Sequence, residues 1–176
     1  MPVTSEELFL KGLAEAQDLY TRLAKILEKE APFRKMLAAL ERAIERSNEA
    51  YRDTGADQLC ATCATSGRGT CCVRDMELSV SRELLLINLS LGVELPRQRL
   101  FPRGCFFLGA RGCLLRARPL LCRNFFCHWF RQRFSPENLA YLQEAMEEEA
   151  RLLFQTEQYL KVFLLALSQG GAKKIS

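Results

Sequence analysis

Residues 60–72 read CATCATSGRGTCC and residues 105–127 read CFFLGARGCLLRARPLLCRNFFC, and these two runs hold all eight cysteines of a 176-residue chain. The spacing is Cys60-x2-Cys63-x7-Cys71-Cys72, then 32 residues, then Cys105-x7-Cys113-x8-Cys122-x4-Cys127, with four thiols in each half. Gly67-Arg68-Gly69, Gly92, Pro96, Pro102, Gly104, Gly109 and Gly112 interrupt the region, so residues 58–134 read as loops and short elements. Residues 81–91 (SRELLLINLSL) suit a short helix stopped by Gly92. Residues 105–108 and 113–115 suit the arms of a hairpin joined through Gly109-Ala-Arg-Gly112. Pro119 opens a further helix, expected to reach about residue 130.

Outward from this segment the periodicity changes. Phe9, Leu13, Ala16, Tyr20, Leu23 and Leu27 alternate steps of four and three, the signature of a helix burying one seam, and Thr4 with Glu7 offers a capping box. Ala31-Pro32 breaks that helix and starts another, with Phe33, Leu37, Leu40, Ile44 and Tyr51 on one side and Thr54-Gly55 as its stop. Two antiparallel helices are expected. Ser135-Pro136-Glu137 begins a long helix through Leu139, Leu142, Met146, Leu153, Leu160, Leu164 and Leu167 to Gly170-Gly171, and the terminal AKKIS reads as frayed. The expected architecture is mainly α, a long-helix bundle with an inserted cysteine-rich metal-binding subdomain that contains a small β-hairpin. Its divisions are an N-terminal helical hairpin (1–57), the cysteine-rich region (58–134), and a C-terminal helix (135–176) packing on the N-terminal helices as one compact unit.

The first thirty residues carry acids throughout and lack the basic, apolar, small-residue order of a secretory signal. No stretch approaches the roughly 20 apolar residues that cross a bilayer. A soluble, cytoplasmic protein with reduced thiols is therefore expected, and an oxidised disulfide scaffold is the alternative if an export signal has been removed. Eight reduced thiols so closely spaced point to metal ligation by Cys60, Cys63, Cys71, Cys72, Cys105, Cys113, Cys122 and Cys127. The two-residue gap between Cys60 and Cys63 lets both sulfurs face one ion, as in zinc knuckles and cluster loops alike. The vicinal side chains of Cys71 and Cys72 project in different directions, so they serve different centres or different irons of one cluster. Thiolate softness selects zinc, iron–sulfur clusters or cuprous copper over magnesium or calcium. His128, the only histidine, follows Cys127 directly and is a candidate ligand or supporting donor.

These residues resemble the YkgJ-type cysteine-cluster family, the zinc- or iron-chelating CxxCxxCC domain. The resemblance rests on the first cluster ending in Cys71-Cys72, on Gly104-Cys105-Phe106-Phe107-Leu108 followed by Cys113, and on Arg118-Pro119-Leu-Leu-Cys122-Arg123-Asn-Phe125-Phe-Cys127, which is similar to the family's RPxxCRxFxC signature. It covers residues 60–127, under half the chain. One departure is the seven-residue ATSGRGT insert between Cys63 and Cys71, where the family has about three, which bears on ligand pairing. The resemblance implies metal chelation, often as an iron–sulfur centre. The flagellin lysine methylase is similar to this family through its cysteine cluster, but this chain has no recognisable methyl-donor site.

Charge divides as sharply as cysteine content. Residues 58–134 hold twelve arginines, no lysine and four acids (Asp75, Glu77, Glu83, Glu94), a balance of +8, whereas residues 1–57 and 135–176 are each net negative. One reading is compensation of anionic metal–thiolate groups by guanidinium donors, with Arg118 and Arg123, which bracket Cys122, as the supporting residues. The competing reading is a nucleic-acid patch. Phe106, Phe107, Phe125, Phe126, Trp129 and Phe130 alternate with leucines as core residues do, which disfavours stacking platforms. No phosphate loop, HExxH pair or nucleophile elbow occurs, so binding is favoured over catalysis. The expectation is an iron–sulfur cluster, of the 4Fe–4S type, in a redox, cluster-delivery or accessory role with a protein partner. The alternative is a structural-zinc module that recognises protein or nucleic acid.

Overall fold

The computed structural model describes residues 4–66 and 71–170, so the Gly67-Arg68-Gly69 interruption and the AKKIS end lie outside the described residues. The chain is mainly α-helical with one small antiparallel hairpin, as the periodicities predict. Helix α1 (Ser5–Leu27) opens with the capping box: Thr4 Oγ1 accepts the Glu7 N–H at 3.2 Å, and the Glu7 carboxylate accepts the Thr4 N–H at 2.8 Å. Helix α2 (Ala31–Thr54) carries Pro32 in its first turn and ends at Gly55. At φ 72° that residue occupies the left-handed region, where glycine alone pays no Cβ penalty.

Gly55 does not lead into a loop. It hands the chain directly to α3 (Ala56–Thr65), so Cys60 and Cys63 stand on a helix where loops were expected. Their i, i+3 spacing still puts both thiols on one face. A 3₁₀ turn at Met76–Ser79 precedes α4 (Arg82–Ser90), which Ser81 caps by accepting the Leu84 N–H at 3.0 Å. The hairpin pairs β1 (Leu108–Gly109) with β2 (Gly112–Cys113), shorter than the cysteine-to-leucine arms suggested. Beyond Pro119 the single expected helix is two short ones, α5 (Leu120–Arg123) and α6 (His128–Arg131). The break lets Phe126 turn inward and stack on Phe130, with ring centroids 4.9 Å apart. Helix α7 (Pro136–Ser168) starts at Ser135, whose hydroxyl accepts the Asn138 N–H.

Helix α7 lies along α2, and α4 packs on α7. Leu40, Ile44, Leu86, Ile87, Leu153 and Leu160 form the centre of that core, each nearly sealed from solvent. Burying each such side chain contributes about 1.5–3 kcal/mol before the cost of chain ordering. Helix α1, expected beside α2, has α4 as its main partner. Its face of Phe9, Leu13 and Ala16 meets Phe106 and Phe107 beside the hairpin, where the three rings pack edge-to-face with centroids 4.9–5.8 Å apart.

Two buried polar side chains hold the cysteine-rich segment in place, one within it and one against the flanking helices. Asn88 of α4 donates to the carbonyls of Leu84 (2.9 Å) and Ala117 (2.8 Å) and accepts the N–H groups of Arg116 (2.9 Å) and Ala117 (3.1 Å), so its whole amide is satisfied. Arg123 reaches from α5 to Glu149 of α7 (3.2 Å) and Asn48 of α2 (2.8 Å), lies over the Tyr51 ring at 4.6 Å, and receives the Tyr51 hydroxyl on its own carbonyl at 2.8 Å. Arg123 and Glu149 are 4% and 2% exposed, so removing one partner strands a charge. Arg123→Ala is expected to cost about 3–5 kcal/mol in urea unfolding, whereas the double replacement Arg123→Met/Glu149→Leu should recover most of that loss.

Candidate metal centre

The two cysteine halves, separate in sequence, meet in space. Helix α3, carrying Cys60 and Cys63, packs against β2, which carries Cys113. Residues 72–74 run antiparallel to 103–105: the Cys105 N–H donates to the Cys72 carbonyl at 2.9 Å, the Arg74 N–H to the Arg103 carbonyl at 3.0 Å, and Val73 bridges Gly104. At Gly104 a Cβ would lie 3.0–3.1 Å from Leu108 and Phe101, so the turn leading into this pairing is packed tightly around the glycine. Cys122 sits on α5, and Cys127 caps α6, its Sγ accepting the Phe130 N–H at 3.4 Å.

Electrostatic influence links all eight sulfurs across the halves. Cys60 feels Cys71, Cys63 and Cys127; Cys72 feels Cys71, Cys113 and Cys105; Cys105 feels Cys113 and Cys122; and Cys122 feels Cys113 and Cys71. The sulfurs thus share one neighbourhood. Among the described residues, however, no three His, Cys, Asp or Glu side chains stand close enough to hold an ion. The donor chemistry, eight soft thiols, suits a thiophilic metal or cluster, but the placement would hold one only if the sulfurs closed on it.

Burial, neighbouring sulfurs and, at Cys72, a hydrogen bond raise four of the thiols: Cys60, Cys72, Cys105 and Cys122. Burial pushes Cys105 up to about 12, with Glu77 and Cys113 adding to it while the Phe107 N–H opposes. Cys60 has an open surface, yet enough protein surrounds its sulfur to push it up to about 11, with Cys71 and Cys63 contributing next. Cys72 is raised chiefly by its hydrogen bond with Cys71, then by burial, and Cys122 chiefly by burial. Arg118 acts in the other direction on both Cys60 and Cys122. Its own Nε donates to the Leu115 carbonyl at 3.2 Å, which keeps the half-buried guanidinium near these thiols.

The other two candidate supporting residues, each directly following a cysteine, make hydrogen bonds to other groups. Arg123 is buried against Glu149, Asn48 and Tyr51, as described; burial lowers it most, with Glu149 opposing. His128 is exposed, its Nε2 2.8 Å from the Gln132 amide. The aromatic shell also divides. Phe106, Phe107, Phe126 and Phe130 are buried as expected, but Phe125 and Trp129 are 52% and 37% exposed; Arg133 covers one face of Trp129 at 5.2 Å.

Several arginines read as compensation for sulfur instead meet carboxylates. Arg74 pairs with Glu6, Arg99 with Glu77 and Glu6, and Arg116 with Glu41. Glu77 and Arg99 are the functional candidates that sequence reading passed over. Burial works to raise the Glu77 carboxyl, but hydrogen bonds from Arg99 and the Phe106 N–H outweigh it and leave it below the usual carboxylate value. The available signal was scarcity: with four acids among twelve arginines, each acid is a candidate partner.

No protein-family model, curated protein or solved structure matches the chain. Among the described residues no helix is long and apolar enough to cross a membrane.

The raised thiols carry a pH signature. A thiolate is costlier in the fold than in the unfolded chain, so the unfolded state loses its proton first and stability falls as pH rises. For reduced, metal-free protein the contribution is fully present below the ordinary value of 9.0 and is lost as pH passes about 11 for Cys60 and about 12 for Cys105. Urea midpoints of the parent and of Cys105→Ser should therefore converge across that window. Curves that stay parallel would remove Cys105 from the buried set.

Proposed function

We propose that this chain is a metal-binding protein whose cysteine thiolates hold an iron–sulfur cluster, in a reducing, cytoplasmic setting, serving a redox, cluster-delivery or accessory role. The observation that carries the reading is the meeting of two distant four-thiol runs in one neighbourhood. Each half has sulfurs of the other among its electrostatic neighbours. Two independent zinc knuckles, one per half, would not need that mixing, whereas a multi-iron centre draws on thiols from several directions. The resemblance to the YkgJ-type family supports the same chemistry.

Cys60, Cys63, Cys71, Cys72, Cys105, Cys113, Cys122 and Cys127 would supply the ligands, chosen by softness. A bound cluster would supply one-electron redox capacity. Arg118 opposes the negative charge that deprotonated sulfurs bring, and Phe106, Phe107, Phe126 and Phe130 limit water on the inner side. Because the thiols start protonated, loading must release protons, and affinity must rise with pH.

Anaerobic purification followed by iron, acid-labile sulfide and zinc analysis with EPR tests the proposal. Iron with sulfide, visible charge-transfer absorption and an EPR signal on reduction are expected. A colourless protein with stoichiometric zinc would sink the cluster in favour of a structural-zinc module. Cys122→Ser and Cys127→Ser should each lose metal and destabilise the fold, since the ligand set contributes folding energy. Unchanged metal content in both would contradict the assignment.

A further inference from the structure

Both peptide groups that flank Cys105 are held by a single buried ion pair and its neighbours. Glu77 is 1% exposed, and one of its carboxylate oxygens takes Arg99 Nη2. The other accepts the Phe106 N–H at 3.2 Å, from the peptide that follows Cys105. Arg99 Nη1 donates to the Gly104 carbonyl, on the peptide that precedes Cys105. The N–H of that same peptide goes to the Cys72 carbonyl at 2.9 Å. Rotation of the backbone on either side of the thiol therefore breaks a buried hydrogen bond.

The hold extends to the N-terminal helix. Glu6 of α1 places one oxygen 3.5 Å from Arg99 Nε and gives the other to Arg74, whose N–H pairs the two cysteine strands. Such a charge-pair arrangement stores little net stability, because desolvation offsets attraction, but it admits one geometry only. The groups it fixes are those a ligand residue requires fixed.

We infer that Glu77 and Arg99 are positioning residues for Cys105 within the thiol centre, and that Glu6 couples this hold to the docking of α1. The inference rests on the metal-binding reading, but its test does not. Residue-resolved alkylation by iodoacetamide, read by mass spectrometry on the reduced, metal-free protein, reports how firmly each thiol is held. Glu77→Gln and Arg99→Lys should alkylate Cys105 about tenfold faster while Cys127, remote from the pair, changes less than about twofold. Helicity by circular dichroism should be unchanged. Equal acceleration at both thiols, or none at either, would overturn the assignment.

Should both buried-site variants fail to fold, Glu6→Gln decides the matter. It leaves the Glu77–Arg99 pair intact and should accelerate Cys105 about threefold; no change at Cys105 overturns the coupling to α1. A second readout uses zinc-loaded protein challenged with a chelator, in which the same variants should release Zn²⁺ about tenfold faster at unchanged stoichiometry. Parent protein that binds no zinc or iron would refute the metal reading, while the alkylation result would still stand or fall by itself.

Discussion

A guanidinium withdrawn from water must be answered by a carboxylate, and this chain meets that demand at both ends of its second cysteine run. Arg99 with Glu77 holds the Cys105 end, and Arg123 with Glu149 holds the Cys122–Cys127 end. The pairs differ in what they join. The first fixes backbone within the cysteine-rich region and reaches α1 through Glu6; the second ties α5 to α2 and α7 through Asn48, Tyr51 and Glu149. Hydrophobic burial supplies most of the driving force for the helices, but it is indifferent to the register of short loops. The charge pairs are not, because breaking either leaves an uncompensated ion inside the protein.

What could be read from the residues alone followed the range of the interaction. The capping box at Thr4, the stop at Gly55, the Ser81 cap and the Ser135-Pro136 start depend on groups a few residues apart, and each stands where local chemistry places it. Helix α3 was hidden by a competing local signal. Cys-x2-Cys suits a knuckle loop and a helical face equally, although the glycine cap at Gly55 and the acid of Asp57 in the first turn favour a helix. The break between α5 and α6 could not be seen, since it follows from where Phe126 and Phe130 find room against Tyr51 and Met146. Charge segregation was plain in the sequence but its pairing was not: Glu6 and Arg74 are 68 residues apart, and Arg116 and Glu41 are 75.

The meeting of the cysteine halves is likewise a tertiary fact with local causes. A strand pairing of three residues brings Cys72 beside Cys105, while α3 lies on the hairpin that carries Cys113. Nothing in the spacing of either run specifies this. Spacing limits which thiols within a run share a face; the fold decides which runs meet.

The same pairing alters the meaning of the central segment's charge. A balance of +8 over 77 residues would, if free, create a field suited to nucleic acid or an acidic surface. Arg74, Arg116 and Arg123 instead pair with Glu6, Glu41 and Glu149 of the flanking helices, so three of the twelve arginines form a seam between an arginine-rich segment and acidic helices. Arg118 behaves differently. Its guanidinium acts on Cys60 and Cys122, one thiol from each half. A cation placed between two sets of soft donors is idle while the thiols are protonated and becomes favourable once they ionise. Arg118 is thus the arginine that the proposed ligation, with thiols of both halves losing protons, would bring into play.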